Sequence, residues 1–129
     1  PFRFALVEHG VYRGGYPRPR NLAFLHQLKF RTLVSLTPDP LPASIPTALS
    51  HSPTSNIQCL HIHVPKPKED QVPLDAVLAL KIITSLVLDP GRHPMYIHCL
   101  DGQLVTGSLI LALRKVQGWS VQSAMAEFQ

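Results

Sequence analysis

Apolar and polar positions along this chain follow two rhythms. Three short runs are rich in strand formers: Arg31-Thr32-Leu33-Val34-Ser35-Leu36, Ile57 to Val64, and Pro94-Met95-Tyr96-Ile97-His98. Between them the spacing turns helical. Asn21 to Phe30 puts Leu22, Leu25 and Leu28 on one face, with Asn21 as the cap. Leu74 to Leu88 is strongly apolar, with Pro73 suited to a first helical turn and Asp89-Pro90-Gly91 as a stop. Thr106 to Gln117 predicts another helix, ended by Gly118, and Ser120 caps a last one that the chain end truncates. A strand-like Gly10-Val11-Tyr12-Arg13 adds an antiparallel edge. Residues 37–56, with five prolines, predict little beyond a short helix near 45–49. Strands alternating with helices imply one α/β domain over residues 1–129, a mostly parallel central sheet flanked by helices.

Composition narrows the function more than the fold. The 129 residues suit one domain. The mix of 45% apolar and 16% charged residues is that of a globular protein rather than a disordered tail. No run approaches the roughly 18 apolar residues of a membrane span, and Pro1-Phe2-Arg3-Phe4 lacks the order of a signal peptide. The formal charge of +4 favours small anionic partners and is too scattered for nucleic acid. Two cysteines, Cys59 and Cys99, exclude a disulfide scaffold and fit a reducing, cytoplasmic setting. The chain opens without methionine and stops inside a helical pattern, so it reads as a fragment of something longer.

One segment carries chemistry: Met95-Tyr96-Ile97-His98-Cys99-Leu100-Asp101-Gly102-Gln103-Leu104-Val105-Thr106-Gly107. It reads as a buried strand, a glycine-containing loop and a helix start. A cysteine there meets converging backbone N–H groups and the positive end of a helix dipole, both of which favour a thiolate. The same amides, from Leu100 to Thr106, form a cradle for a tetrahedral oxyanion, and the Thr106 hydroxyl can reach the sulfur or a leaving oxygen.

His-Cys, five residues, then a position followed by Thr-Gly resembles the signature of the cysteine-dependent tyrosine and dual-specificity phosphatases. Val11-Tyr12-Arg13-Gly14-Gly15-Tyr16-Pro17-Arg18-Pro19-Arg20-Asn21 and Leu113-Arg114-Lys115-Val116-Gln117-Gly118-Trp119-Ser120 are similar to blocks of the plant and fungal atypical dual-specificity phosphatases, in the same order. The resemblance implies the cysteine-phosphatase fold, a phosphate loop between the last strand and the next helix, Cys99 as nucleophile, no cofactor, and activity toward phosphotyrosine and inositol pyrophosphates. Ser35 to Leu41 is similar to a fungal group with eroded loops, linked to cell-cycle arrest under oxidant stress.

The loop departs from that pattern. Where active members carry arginine, sixth after the cysteine, this chain has Val105, and their Gly-Lys-His-Arg-Thr-Gly is here Gly102-Gln103-Leu104-Val105-Thr106-Gly107. Arginine there grips two phosphate oxygens in a fork and stabilises transition-state charge, and valine does neither. Losing such a group costs on the order of 10³- to 10⁵-fold in rate. Asp101 adds a negative charge that either donates a proton or repels substrate.

Other candidates stay open between two readings. Asp70 is either the general acid or the cap of the helix near Pro73, the cap being preferred; Lys66 and Lys68 either contact phosphate or are solvated. Arg13 either faces an anion or buttresses the loop, while Arg18 and Arg20 read as solvated. His61 and His63 share a strand face without further metal ligands nearby, so no metal is expected. His98 reads as orienting the loop rather than as a base. Cys59, Trp119 and Phe128 read as core. The leading function is a catalytically impaired pseudophosphatase that binds a phosphorylated small molecule, a phosphoprotein or related phosphatase-like subunits in a hetero-oligomer. The alternatives are a weak cysteine phosphatase and a redox-sensing thiol at Cys99. Neither nucleic acid nor membrane is expected as a partner.

Overall fold

A computed structural model describes residues 3–50, 57–68, 74–100 and 104–118 of the chain. Strands β1 (Ala5–Glu8), β2 (Val11–Gly14), β3 (Thr32–Thr37), β4 (Gln58–His63) and β5 (Met95–His98) form one sheet in the order β1-β2-β5-β3-β4. The β2–β5, β5–β3 and β3–β4 pairings are parallel. Only β1–β2 is antiparallel, and this corrects the sequence reading in one respect. The Val11 strand is interior, and the edge is β1, a strand the pattern did not reveal. Its four residues show no alternation long enough to read. Gly10, at φ +84°, makes the tight turn between the two strands, a conformation that costs glycine nothing.

Side-chain alternation builds a core on each face of the sheet. Val34, Leu36, Val11, Met95 and Ile97 pack on one side with residues of helices α3 (Ala76–Ile82) and α4 (Leu104–Val116). Leu33 and Tyr96 pack on the other with Leu25 of α1 (Leu22–Gln27) and Leu49 of α2 (Ser44–Ser50). Every residue of β3 is buried, as a central parallel strand requires. A Cβ on Gly14 would collide with the Tyr96 phenol, whose hydroxyl donates to the Gly15 carbonyl at 2.6 Å. Glycine at that point therefore lets β2 lie against β5, the strand that leads to Cys99.

Three helix boundaries differ from the pattern, each for a local reason. The Asn21 carboxamide does not cap α1. Its Oδ1 accepts from the Arg18 N–H at 2.9 Å, inside a 3₁₀ turn, Pro19–Asn21, that precedes the helix. The first described turn of α3 begins beyond Pro73. Its cap is Asp75, whose Oδ1 accepts from the Leu78 N–H at 2.7 Å, while Asp70 and Pro73, considered at this helix start, lie outside the described residues. Finally, the long apolar helix widens into a π-helical turn at Ile83–Val87, where the Leu88 N–H reaches the Ile83 carbonyl five residues back. Thr84 Oγ1 donates to the Leu80 carbonyl at 2.9 Å, and the Ser85 hydroxyl donates to that of Lys81. Hydroxyls that take carbonyls from the ladder in this way favour such a widening. Gly118, at φ +82°, ends α4 as the pattern predicts, and the short helix near 45–49 is α2. The predicted cap Ser120, Trp119 and Phe128 lie outside the described residues.

Candidate active site

Because β3, β4 and β5 run parallel, their carboxyl ends share one edge of the sheet, where ligand sites of such folds open. β3 continues into Pro38, β4 into Val64-Pro65-Lys66-Pro67, and β5 into Cys99. These ends, with Leu100 and the first residues of α4, Leu104 and Val105, line a cavity of about 240 Å³. The floor holds Cys99, 2% exposed, and Val105, 4% exposed. Leu100 and Leu104 stand exposed at the rim. Lys66 is the one charged residue in the described lining, and the rest, the thiol apart, is aliphatic or proline.

The sequence candidates divide accordingly. Cys99, Leu100, Leu104, Val105 and Lys66 come together at the cavity. Lys68 is exposed and is not among the described lining. Arg13 lies in β2 paired with Ile97 and, by strand alternation, on the same sheet face as Val11 and Ile97. It is half-buried and away from the cavity wall. Asp70, Asp101, Gly102 and Gln103 lie outside the described residues.

Thr106 departs from expectation. It is fully buried, and its hydroxyl has no hydrogen-bond partner, so it makes no bond to the Cys99 sulfur. Successive α-helical residues point about 100° apart, so a helix that turns Val105 to the cavity turns Thr106 away from it.

The strand before the thiol is held by a buried relay. His98 is fully buried, with Nδ1 3.2 Å from the Cys99 carbonyl and Nε2 2.6 Å from Ser35 Oγ. A carbonyl only accepts, so Nδ1 carries the proton; the neutral ring then leaves Nε2 to accept from the Ser35 hydroxyl. Burial lowers the His98 pKa to about 4, partly countered by the Cys99 carbonyl bond and reinforced by the nearby His61. The ring is therefore uncharged at neutral pH and positions the Cys99 backbone, in keeping with the orienting role read from the sequence.

This sets a pH dependence. An unfolded histidine titrates near 6.5, above the folded value, so the unfolded chain binds the proton first and stability falls as pH drops from about 6.5 toward 4. The expected loss between pH 7 and 5 is roughly 2 kcal/mol. Urea unfolding at both pH values should show it in the wild type and lose most of it in His98→Gln. Equal sensitivity in the two proteins would exclude His98 as the source.

The two strand histidines serve structure. His61 Nε2 donates to the Thr37 carbonyl at 2.8 Å and His63 Nδ1 to that of Pro38 at 2.9 Å, tying β4 to the end of β3 beside the cavity. No group of three metal-ligating side chains occurs among the described residues. Cys59 is half-buried against the α1–α2 core, and burial raises its thiol pKa.

Sequence reading misses the walls Leu36, Pro38, Val64, Pro65 and Pro67. The signal was present in the expected parallel sheet, since the residues just past β3 and β4 must flank those just past β5.

A buried strand, a cysteine at its end and a helix whose first residues, Leu104 and Val105, share a cavity with that cysteine define the cysteine-phosphatase class of α/β protein. The tyrosine phosphatase family model matches residues 1–129, and the chain belongs to that family. It is 37% identical over 132 residues to inositol diphosphatase DSP3 of Arabidopsis thaliana, covering all of this chain and 62% of that protein. It is 32% identical over 140 residues to the putative tyrosine-protein phosphatase OCA6 of Saccharomyces cerevisiae, covering 99% and 62%. The chain thus spans about 62% of the length of these relatives. Among solved structures, the core catalytic domain of the yeast PP-IP phosphatase SIW14, in complex with citrate, superposes with a TM-score of 0.86 at 30% identity, over 99% of this chain and 74% of that one.

Proposed function

We propose that this chain is a catalytically impaired member of its family, a domain that binds a phosphorylated small molecule or phosphoprotein without turning it over through Cys99. The observation that carries this reading is Val105. It occupies the cavity floor beside Cys99, at the place where a phosphate-gripping arginine is expected, and it offers a phosphoryl group neither a hydrogen bond nor a charge. The one cation in the described lining is Lys66, a point charge rather than a two-pronged donor. The family relatives, a plant inositol diphosphatase and a putative tyrosine-protein phosphatase, supply the ligand class.

The second reading, a weak but working phosphatase, has Cys99 in its favour, kept at the strand end with its backbone braced by His98 and Ser35. A redox-sensing Cys99 has its own burial against it, since sensor thiols are accessible. Hydrolysis of a 5-diphosphoinositol and of an aryl phosphate, wild type beside Cys99→Ser, separates these readings. No difference between the two proteins is expected. Turnover that disappears in the serine variant would overturn the proposal and make Lys66 and Arg13 the first substitutes to test.

A further inference from the structure

A second cavity, of about 410 Å³, lies at the other end of the sheet from Cys99. The turn of the β1–β2 hairpin, the residue that follows α1 and the segment leading into β5 surround it. Pro94 precedes β5 and Cys99 follows it, so the length of that strand separates the two cavities. Small-molecule sites of this size combine apolar walls with a few polar groups. Here Leu6, Leu28, Pro90, Pro94 and the Tyr12 ring supply the apolar surface. Leu6 is 59% exposed, and an occupant would cover it.

The polar groups in the described lining retain hydrogen-bonding capacity. The His9 imidazole and the Tyr12 hydroxyl make no hydrogen bond among the described residues. His93 is oriented more closely. Its Nε2 lies 2.7 Å from the Val87 carbonyl. A carbonyl only accepts, so Nε2 carries the proton, and Nδ1 of the uncharged ring keeps its lone pair for a donor. A Cβ on Gly10 would stand 2.7 Å from that Nδ1, so glycine leaves this edge of the ring uncovered. Arg31 brings charge to the same place. Its backbone N–H donates to the Pro94 carbonyl at 2.8 Å, and its Nη1 donates to the Gly91 carbonyl at 2.9 Å, beside Pro90. No carboxylate pairs with Arg31 or with Lys29 among the described residues. The acids of the neighbouring segments are engaged elsewhere, Glu8 with Arg114 and Gln117, and Asp89 with Arg92 and the Gly91 N–H.

We infer that this cavity binds a small aromatic acid that also carries an O–H or N–H donor. Its ring lies against Leu6, Leu28 and Tyr12, its donor meets His93 Nδ1, and its negative charge faces Arg31. The donor follows from the His93 tautomer, and the charge from a guanidinium bonded only to neutral carbonyl oxygen. This site is distinct from the one assigned to phosphorylated ligands and stands whether or not that assignment does.

The probe is 4-hydroxybenzoate, which has the ring, the donor and the charge; benzoate lacks the donor and phenol lacks the charge. Titrated into isotope-labelled protein, it should shift the amides of Leu6, His9, Gly10 and His93 and saturate at millimolar concentration. The amides of Cys99 and Leu104 should stay in place. Benzoate and phenol should each bind about tenfold more weakly, the scale of one lost hydrogen bond or ion pair. Leu6→Glu puts a carboxylate at a position already open to water, so the fold is retained, as circular dichroism would verify. It should weaken 4-hydroxybenzoate by about tenfold or more. Arg31→Gln should weaken 4-hydroxybenzoate severalfold and leave phenol unchanged. Shifts centred on Cys99 and Leu104, absence of saturation, or equal binding of the three compounds would overturn the inference. None of these readouts involves hydrolysis, so this inference and the Cys99→Ser comparison fail separately.

Discussion

Val105→Arg is expected to raise hydrolysis of an aryl phosphate by about 10³-fold over the wild type, the scale set by arginines that act on a transferring phosphoryl group. Val105 lines the cavity, so a longer side chain there has room of about 240 Å³ to extend into rather than a packed core to displace. The guanidinium would arrive beside Cys99, where its fork can hold two equatorial oxygens as charge builds on them. Its desolvation among Leu36, Val64 and Leu104 costs something, so the gain should appear mainly with bound anion, as a higher rate at saturating substrate. The gain must vanish in the Val105→Arg, Cys99→Ser double variant. An unchanged rate in a folded variant would mean that the missing fork is not the main defect. The proton donor or the loop would then have eroded as well.

The layout around that position was largely legible in the sequence, and the limits of the reading are physical. Strands β3, β4 and β5 announced themselves because each is written in strand-forming residues, with β3 and β5 buried throughout and β4 half-buried at Cys59, Leu60 and Ile62. β1 did not, since Ala5–Glu8 is only four residues long and is held by its hairpin partner rather than by its own pattern. The position of Cys99 followed from the strand–loop–helix order and the family resemblance. The character of the cavity did not follow, because its walls come from β3 and β4, about 35 to 60 residues upstream, and only the parallel register brings them beside the thiol. Thr106 shows the opposite limit. The motif put its hydroxyl near the sulfur, but helix rotation gives that place to Val105, and the hydroxyl is left buried without a partner. Asp75, which the pattern did not single out, caps α3.

Arg114 carries the second large effect, and the sequence showed it only inside the Leu113 to Ser120 block, with no role attached. It is 2% exposed. Its Nη2 donates to the Val7 carbonyl at 2.5 Å, and its Nη1 lies 3.2 Å from Glu8 Oε2 and 2.8 Å from Gln117 Oε1. Gln117 Nε2 closes the network by donating to the same Glu8 oxygen at 2.8 Å. One guanidinium thus ties the last turn of α4 to the β1–β2 hairpin, where the helix dipole also favours a cation. Arg114→Met keeps the aliphatic stem but takes the guanidinium from the Val7 carbonyl and leaves the Glu8 carboxylate with Gln117 Nε2 and no paired charge. Breaking a buried pair from one side costs about 3–5 kcal/mol. Glu8 is 29% exposed and recovers some water, so a loss of about 2–3 kcal/mol by urea unfolding is the expected result. Arg114→Lys should lose less, because an ammonium can keep one of these partners but not the fork. Glu8→Gln should lose least, since it keeps an acceptor. The hairpin matters to the site because β2 pairs with β5 from Val11 against Met95 to Gly14 against His98, the residue before Cys99. Amide exchange in Arg114→Met should therefore quicken first at Leu6 and Val7, and then along β2. A loss below about 1 kcal/mol would mean that the sheet pairing and the α4 packing hold the hairpin without the ion pair.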